Sequence, residues 1–205
     1  MPRPRFHKLP PEQQQEILRA ALEEFAAHGF NGASLNRIID AAGISKGSMY
    51  YYFDGKEDLY AYVASVELGR LFAAAGPFPI PTARAPDAFW SALSDDYLRI
   101  VGALASSPQV AALARGLVTA SANPALERAQ KEMEAAVLPW FQKALVAGQR
   151  ARAVRKDLPL DFLIALVFGM GQAMDTWFLT QQLDEKALRK LVPLFLGIFR
   201  RALSP

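Results

Sequence analysis

The sequence predicts an all-α chain, and three observations carry that prediction. Apolar residues recur at spacings of three and four along most of the 205 residues, the period of one helix face. No stretch alternates apolar with polar residues between turn signals, as a half-buried strand does. Helix starts and stops are frequent, with Ser, Asp or Asn ahead of periodic segments, proline just inside them and glycine just beyond.

The first helix is predicted from Leu9 to His28. Pro10 and Pro11 stand at its start, Gly29 follows its last turn, and Ile17, Leu18, Ala21, Leu22 and Phe25 form its apolar stripe. Ser34 caps a short helix, LNRIIDAA, which Gly43 ends, and Ser45 caps a second, KGSMYYY. Asp54 and Glu57 have capping-box spacing ahead of a long helix from Lys56 to about Phe72. The proline-rich stretch 76–87 is the clearest loop. Further helices are predicted over 87–105, 108–120, 124–148, 159–181 and 185–203, with Ser107-Pro108 and Asn123-Pro124 as N-cap and first-turn pairs. Pro139 and Pro193 fall inside periodic patterns and are expected to kink or break them.

Two short helices joined by a tight glycine turn make a helix-turn-helix. Ile38, Ala42, Ile44, Met49 and Phe53 are its apolar positions, which leaves Lys46, Gly47, Ser48, Tyr51 and Tyr52 facing outward with Tyr50 at the edge. That set suits a major groove. A lysine reaches phosphate or guanine, glycine lets the backbone approach, and serine and tyrosine hydroxyls bond phosphates while the rings touch sugars or thymine methyls. Lys56, at a helix start where backbone N–H groups favour an anion, and Asn36 and Arg37 on the first short helix are further candidates. Taken alone, the lysines are ordinary solvated charges and the tyrosine triplet ordinary surface aromatics. The tail PRPRFHK is either inert or a basic arm for a minor groove.

Composition removes other classes. The sequence has no cysteine, which excludes a disulfide scaffold, a thiol nucleophile and cysteine metal sites. It has two histidines and lacks a His-Glu metal motif, a P-loop and a nucleophile elbow, so neither an enzyme nor a cofactor is expected. The GMGQAM stretch lacks a third glycine and a preceding strand, as a dinucleotide site requires. A net charge of +3 permits nucleic acid without identifying it. The longest apolar run, 162–171, is short for a bilayer crossing, and no secretory signal is present, so a cytoplasmic protein without a membrane partner is expected.

In the later helices Trp90, Tyr97, Met133, Trp140, Met170, Met174 and Trp177 fall on apolar faces, as core or as ligand-lining residues, with Asp96, Gln172 and Asp175 as pocket or interface polars. Ala165, Gly169 and Ala173 recur every four residues and allow close helix approach, and Leu188, Val192, Phe195 and Phe199 form a stripe on the last helix. Both are candidates for a dimer seam, the first also for close packing inside the subunit.

SLNRIIDAAGISKGSMYYYFDGKEDLY, from Ser34 to Tyr60, resembles the signature of the TetR family of transcriptional regulators, and the preceding ILRAALEEFAAHGFNGAS resembles its first helix. Ile39 stands where the family commonly has alanine, and Tyr52 where histidine is frequent. AGQRARAVRKDLP, 147–159, resembles the turn that often precedes the family's eighth helix. The resemblance implies a DNA-binding domain over 1–55 and a helical effector-binding and dimerisation domain over 56–205. It implies a homodimer that reads a palindromic operator in double-stranded DNA through Ser34, Asn36, Arg37, Ser45, Lys46, Gly47, Ser48, Tyr50, Tyr51, Tyr52 and Lys56. The expected function is that of a repressor released by a small hydrophobic or aromatic effector. The alternative is a helical adaptor of the same fold without ligand response.

Overall fold

The computed structural model describes residues 2–119, 123–181 and 183–205. Among these the regular structure is wholly helical: a 3-10 turn over Phe6–Lys8, then α1 (Pro11–Gly32), α2 (Leu35–Ala41), α3 (Lys46–Tyr52), α4 (Lys56–Ala75), α5 (Pro86–Ala105), α6 (Pro108–Thr119), α7 (Pro124–Arg150), α8 (Leu160–Gln181) and α9 (Glu185–Leu203). The predicted helix end at residue 120 lies outside the described residues. Contacts divide the chain into two compact units, Met1–Leu71 with Ser107–Met133, and Phe72–Ser106 with Glu134–Pro205.

In the first unit α1 packs against α6 and α2, and α2 against α3. Ile17, Phe25, Ile38, Met49, Phe53 and Leu59 are fully enclosed, so the stripes read from sequence meet in one core. Gly29 leaves the helical path, and its carbonyl accepts from Ala33 N, so α1 ends one turn beyond the predicted stop. Tyr60 on α4 sets its ring edge-on to Phe25 and Phe30, and its hydroxyl donates to the Leu113 carbonyl of α6 at 2.8 Å. Burial pushes its phenol well above the ordinary range. A Cβ at Gly116 would lie 2.0 Å from that hydroxyl, so the approach of Tyr60 to α6 requires glycine there.

In the second unit α9 packs on α5 and α8 around Phe89, Leu163, Val167, Met174 and Val192. The turn after α7 is closed by Ala153 N and Val154 N, which both donate to the Gly148 carbonyl, and Arg155 N ties it to the Leu203 carbonyl at the end of α9. Arg99 donates to the Ala75, Gly76 and Pro77 carbonyls, holding the start of the proline-rich loop. Trp140 Nε1 donates to Phe78 O at 2.8 Å and holds its next residues.

Two expectations are corrected here. Pro139 and Pro193 do not break their helices: α7 and α9 run through them. Both prolines are exposed, and so are Ala135 and Arg189 four residues before each, so the carbonyls left without an N–H face water. The ten-residue apolar run 162–171 is only part of its helix and too narrow a window to judge the whole by. It belongs to a 22-residue helix that is long and apolar enough to cross a membrane by length and composition, with a mean hydropathy of 1.5. Only 22% of its apolar window is buried, and Phe162 is 53% exposed.

Candidate nucleic-acid interface

The geometry begins with two caps. Ser34 Oγ accepts from Arg37 N at 3.4 Å and starts α2, and Ser45 Oγ accepts from Ser48 N at 3.0 Å and starts α3. Between them Gly43 turns the chain at φ +63°, a conformation that Cβ-bearing residues rarely adopt. With Met49 and Phe53 fully buried, Lys46, Gly47, Tyr50 and Tyr51 are left on the exposed side of α3. Tyr50 and Tyr51 are each 45% exposed, whereas Tyr52 is half-buried against Phe6. The three adjacent rings therefore diverge, as successive helix positions must.

The other expected contacts are distributed differently. Asn36 is exposed on α2, and Ser48 is half-buried with its hydroxyl 2.9 Å from that of Ser45. Arg37 is held by protein: Nε donates to both carboxylate oxygens of Glu24 at 2.9 and 3.1 Å, and Nη2 to the Gly32 carbonyl at 3.0 Å. Lys56 Nζ donates to the Asn31 and Ala33 carbonyls and lies 4.8 Å from the centre of the Phe30 ring. Both cations stabilise the end of α1, because their N–H groups donate to carbonyls of its last turn and to the Glu24 carboxylate. Lys46 is the one cation of the expected set that no described acceptor holds. A cavity of about 430 Å³ beside α3 is lined by Glu12 and Glu16 as well as Ser45 and Ser48, so it is unsuited to a phosphate.

Sequence reasoning missed the segment before α1, which is docked and not loose. Phe6 is fully buried, 4.9 Å from Phe53 and 5.5 Å from Tyr62 between ring centres. Arg3 N donates to the Tyr52 carbonyl at 2.8 Å, and its guanidinium to Asp54 Oδ1 and the Tyr50 carbonyl. Asp54 is thereby drawn away from the expected capping box, and its N–H is taken by Asp58 Oδ2 at 3.2 Å. The signal was Phe6 itself, a lone large aromatic among basic residues and prolines.

In the second unit the expected ligand-lining residues are not gathered on one cavity. Met133 belongs to the first unit. Trp90 and Met174 are in the core, and Met170 packs partly buried against it. Trp140 is committed to Phe78, and Trp177 lies 5.3 Å from Phe195 between ring centres. A groove of about 360 Å³ between α5 and α9 is lined instead by Asp95, Arg99, Glu185 and Arg189 with Leu98 and Leu188. Two polar features stand out: Trp90 Nε1 is buried with no partner among the described residues, and at the surface Tyr97 donates to Asp175 Oδ1 at 2.5 Å. Neighbouring protein pushes the Asp175 carboxyl above its ordinary value and the Tyr97 bond opposes that shift, while the residue itself stays exposed to solvent. Of the other expected polars, Asp96 accepts from Arg99 at 2.7 Å and Gln172 is exposed.

The expected seam divides. Ala165, Gly169 and Ala173 are exposed along α8. Leu188, Val192 and Phe199 are at most 8% exposed and Phe195 is half-buried, so this stripe faces the unit's own core. The apolar residues that α9 leaves outside are Leu194 and Ile198, 60% and 47% exposed, flanking Pro193 and Phe195–Gly197. The spacing was right for a face, but the face packs inward.

Residues 17–63 match the model of the bacterial regulatory proteins of the tetR family. Over those residues the chain is similar to the TetR family. The match runs from mid-α1 through the two capped helices into α4. Over 62 residues the chain is 37% identical to the HTH-type transcriptional repressor AcnR of Corynebacterium glutamicum, covering 30% of this chain and 33% of that protein. Over 51 residues it is 45% identical to the HTH-type transcriptional regulator RutR of Escherichia coli, covering 25% of this chain and 24% of that protein. The chain thus spans a third or less of the length of these relatives. Solved structures extend the fold. A TetR family regulator from Chloroflexus aurantiacus is alike with a TM-score of 0.57 at 22% identity, covering 100% of this chain and 99% of that one. The regulator FadR from Bacillus subtilis, in complex with stearoyl-CoA, gives 0.64 at 20%, covering 90% and 98%. At such identities the likeness speaks for the all-α TetR fold alone.

Proposed function

We propose that the protein is a sequence-specific DNA-binding transcriptional regulator, most simply a cytoplasmic repressor that reads a palindromic operator as a homodimer. The observation that carries this reading is the exposed face of α3. It bears a lysine that no described acceptor holds, a position without a side chain and two exposed tyrosine rings, on a helix fixed from behind by Met49 and Phe53. A helix of seven residues covers too few bases for useful specificity, which favours two copies about one DNA turn apart. The apolar surface of α8, with Phe162, Ala165, Gly169 and Ala173, and the Leu194 and Ile198 side of α9 are the faces we assign to the second copy. Residues 1–55 act as the DNA-reading part and 56–205 as the dimerising and effector part. Release by a small hydrophobic or aromatic effector is the finer proposal. Trp90 Nε1, buried in the apolar core with no described partner, favours it, as a polar group that can orient a bound molecule. Such a molecule changes DNA affinity only through its differential affinity for two states of the protein.

The test is binding of the intact protein to a randomised duplex pool across salt concentrations. A regulator enriches a two-fold symmetric sequence and binds it with a steep salt slope. No enrichment, with no salt-dependent binding, leaves the adaptor reading in its place.

A further inference from the structure

We infer that Arg5 is a phosphate-backbone contact, delivered to the flank of α3 by a docked N-terminal segment and not by a free arm. This rests on the DNA-binding reading above. Within residues 2–56 the lysines and arginines are Arg3, Arg5, Lys8, Arg19, Arg37, Lys46 and Lys56. Four have protein acceptors: Arg3 on Asp54, Arg19 on Glu16 and Glu23, Arg37 on Glu24, and Lys56 on two carbonyls. The positive charge left for a partner is Lys46 on α3 with Arg5 and Lys8 ahead of α1, so much of it sits on the segment itself.

Arg5 is also placed. Its guanidinium carbon lies 4.1 Å from the centre of the Tyr51 ring, one of the two most exposed rings of α3. Arg5 is exposed, and no described carboxylate pairs with it. The segment that carries it is fixed on both sides: Arg3 binds the Tyr50 and Tyr52 carbonyls at the end of α3, and Phe6 fills the space beside Phe53 and Tyr62. Two neighbours of Arg5 are therefore anchors, while its own charge stays unpaired beside the groove-facing helix. A cation over an aromatic face keeps its N–H donors available for an anion, and the fixed segment lowers the ordering cost of the contact. Arg3 and Phe6 are positioning residues; Arg5 touches the phosphate.

The experiment measures affinity and salt slope for the intact protein on a short mixed-sequence duplex and on the duplex enriched from a randomised pool. Variants are Arg5→Ala, Arg5→Lys, Phe6→Ala, Arg3→Ala and, as an independent marker of α3, Lys46→Ala. Arg5→Ala is expected to weaken both duplexes by the same factor, to lower the slope of log K against log salt by about 0.9, and to leave the enriched sequence unchanged. Arg5→Lys keeps the slope. Phe6→Ala or Arg3→Ala, checked for helical content, weakens binding although Arg5 is intact, which a free arm would not do. Unchanged affinity and slope in Arg5→Ala, with Lys46→Ala impaired, overturns the inference and leaves the DNA reading standing. A wild-type protein that binds neither duplex overturns both.

Discussion

Arg37 of α2 grips Glu24 of α1 with both Nε and Nη2, and the same carboxylate accepts from Ser34 N at 2.7 Å. A residue of the groove-facing unit is thereby a structural clamp that fixes the start of α2 on α1. The Arg37 guanidinium, first of all by hydrogen bonding, holds the Glu24 carboxyl below its ordinary value of 4.5. A depressed carboxyl contributes stability above its unfolded value, and that contribution is lost as pH falls through the lower folded value. Glu24→Gln is therefore expected to cost about 1 kcal/mol at neutral pH, the clamp being partly exposed. The cost should shrink below about pH 4.5. Urea unfolding at neutral and acid pH reads this directly; an equal cost at both would rule out the ionic clamp.

Tyr60 and Gly116 form a lock of a different kind. Gly116→Ala sets a methyl against the Tyr60 hydroxyl and is expected to destabilise by about 1–3 kcal/mol. Tyr60→Phe removes the bond to the Leu113 carbonyl at about 1 kcal/mol. The double variant should be more stable than the sum of the two predicts, since the closest part of the clash disappears with the hydroxyl. Strict additivity in thermal melts would contradict the contact.

A side chain at Gly47 meets only Ser45 Oγ, 3.7 Å from an ideal Cβ. Gly47→Leu should therefore leave the fold and melting temperature nearly unchanged while abolishing binding to the enriched duplex, because the bulk projects where bases would lie. Retained specific affinity in the folded variant argues against α3 as the groove helix.

On α9 the two sides should respond oppositely. Ile198→Glu, on the exposed side, is expected to yield a folded monomer with weakened operator binding. Val192→Glu, at a fully enclosed position, is expected to unfold the second unit. Sedimentation combined with circular dichroism separates the outcomes, and a dimeric Ile198→Glu protein would move the seam elsewhere.

Asp175 has the opposite sign to Glu24. Its folded carboxyl is raised above the ordinary 3.8, chiefly by desolvation, so the ionised form is disfavoured in the native state. Stability falls as pH rises from that ordinary value through the folded value. Asp175→Asn should make the melting temperature less dependent on pH from the acid side to neutrality. A pH profile identical to wild type would leave the raised carboxyl without thermodynamic effect.

The local parts of this fold were legible. Ser34, Ser45 and Gly43 act within three residues of themselves, so caps and turn follow from the sequence alone, and with them the outward Lys46, Gly47 and Tyr51. Partners distant in sequence were not. Nothing near Arg37 says that Glu24 waits thirteen residues earlier, nor that Arg3 will meet Asp54 fifty-one residues later. The α9 stripe shows the limit of periodicity: Leu188, Val192 and Phe199 define a face, but not whether the chain or a second copy covers it. Pro193 carried part of the missing information, since a proline within a helix favours the watered side.

The uncovered apolar length of α8 links folding to abundance. If a second copy covers Phe162, Ala165 and Gly169, the native state is favoured by mass action, and dilution alone erodes it. The melting temperature would then climb with protein concentration, and a cell holding few copies would hold them closer to unfolding. Scarcity would silence such a regulator twice over, through fewer molecules and through less durable ones.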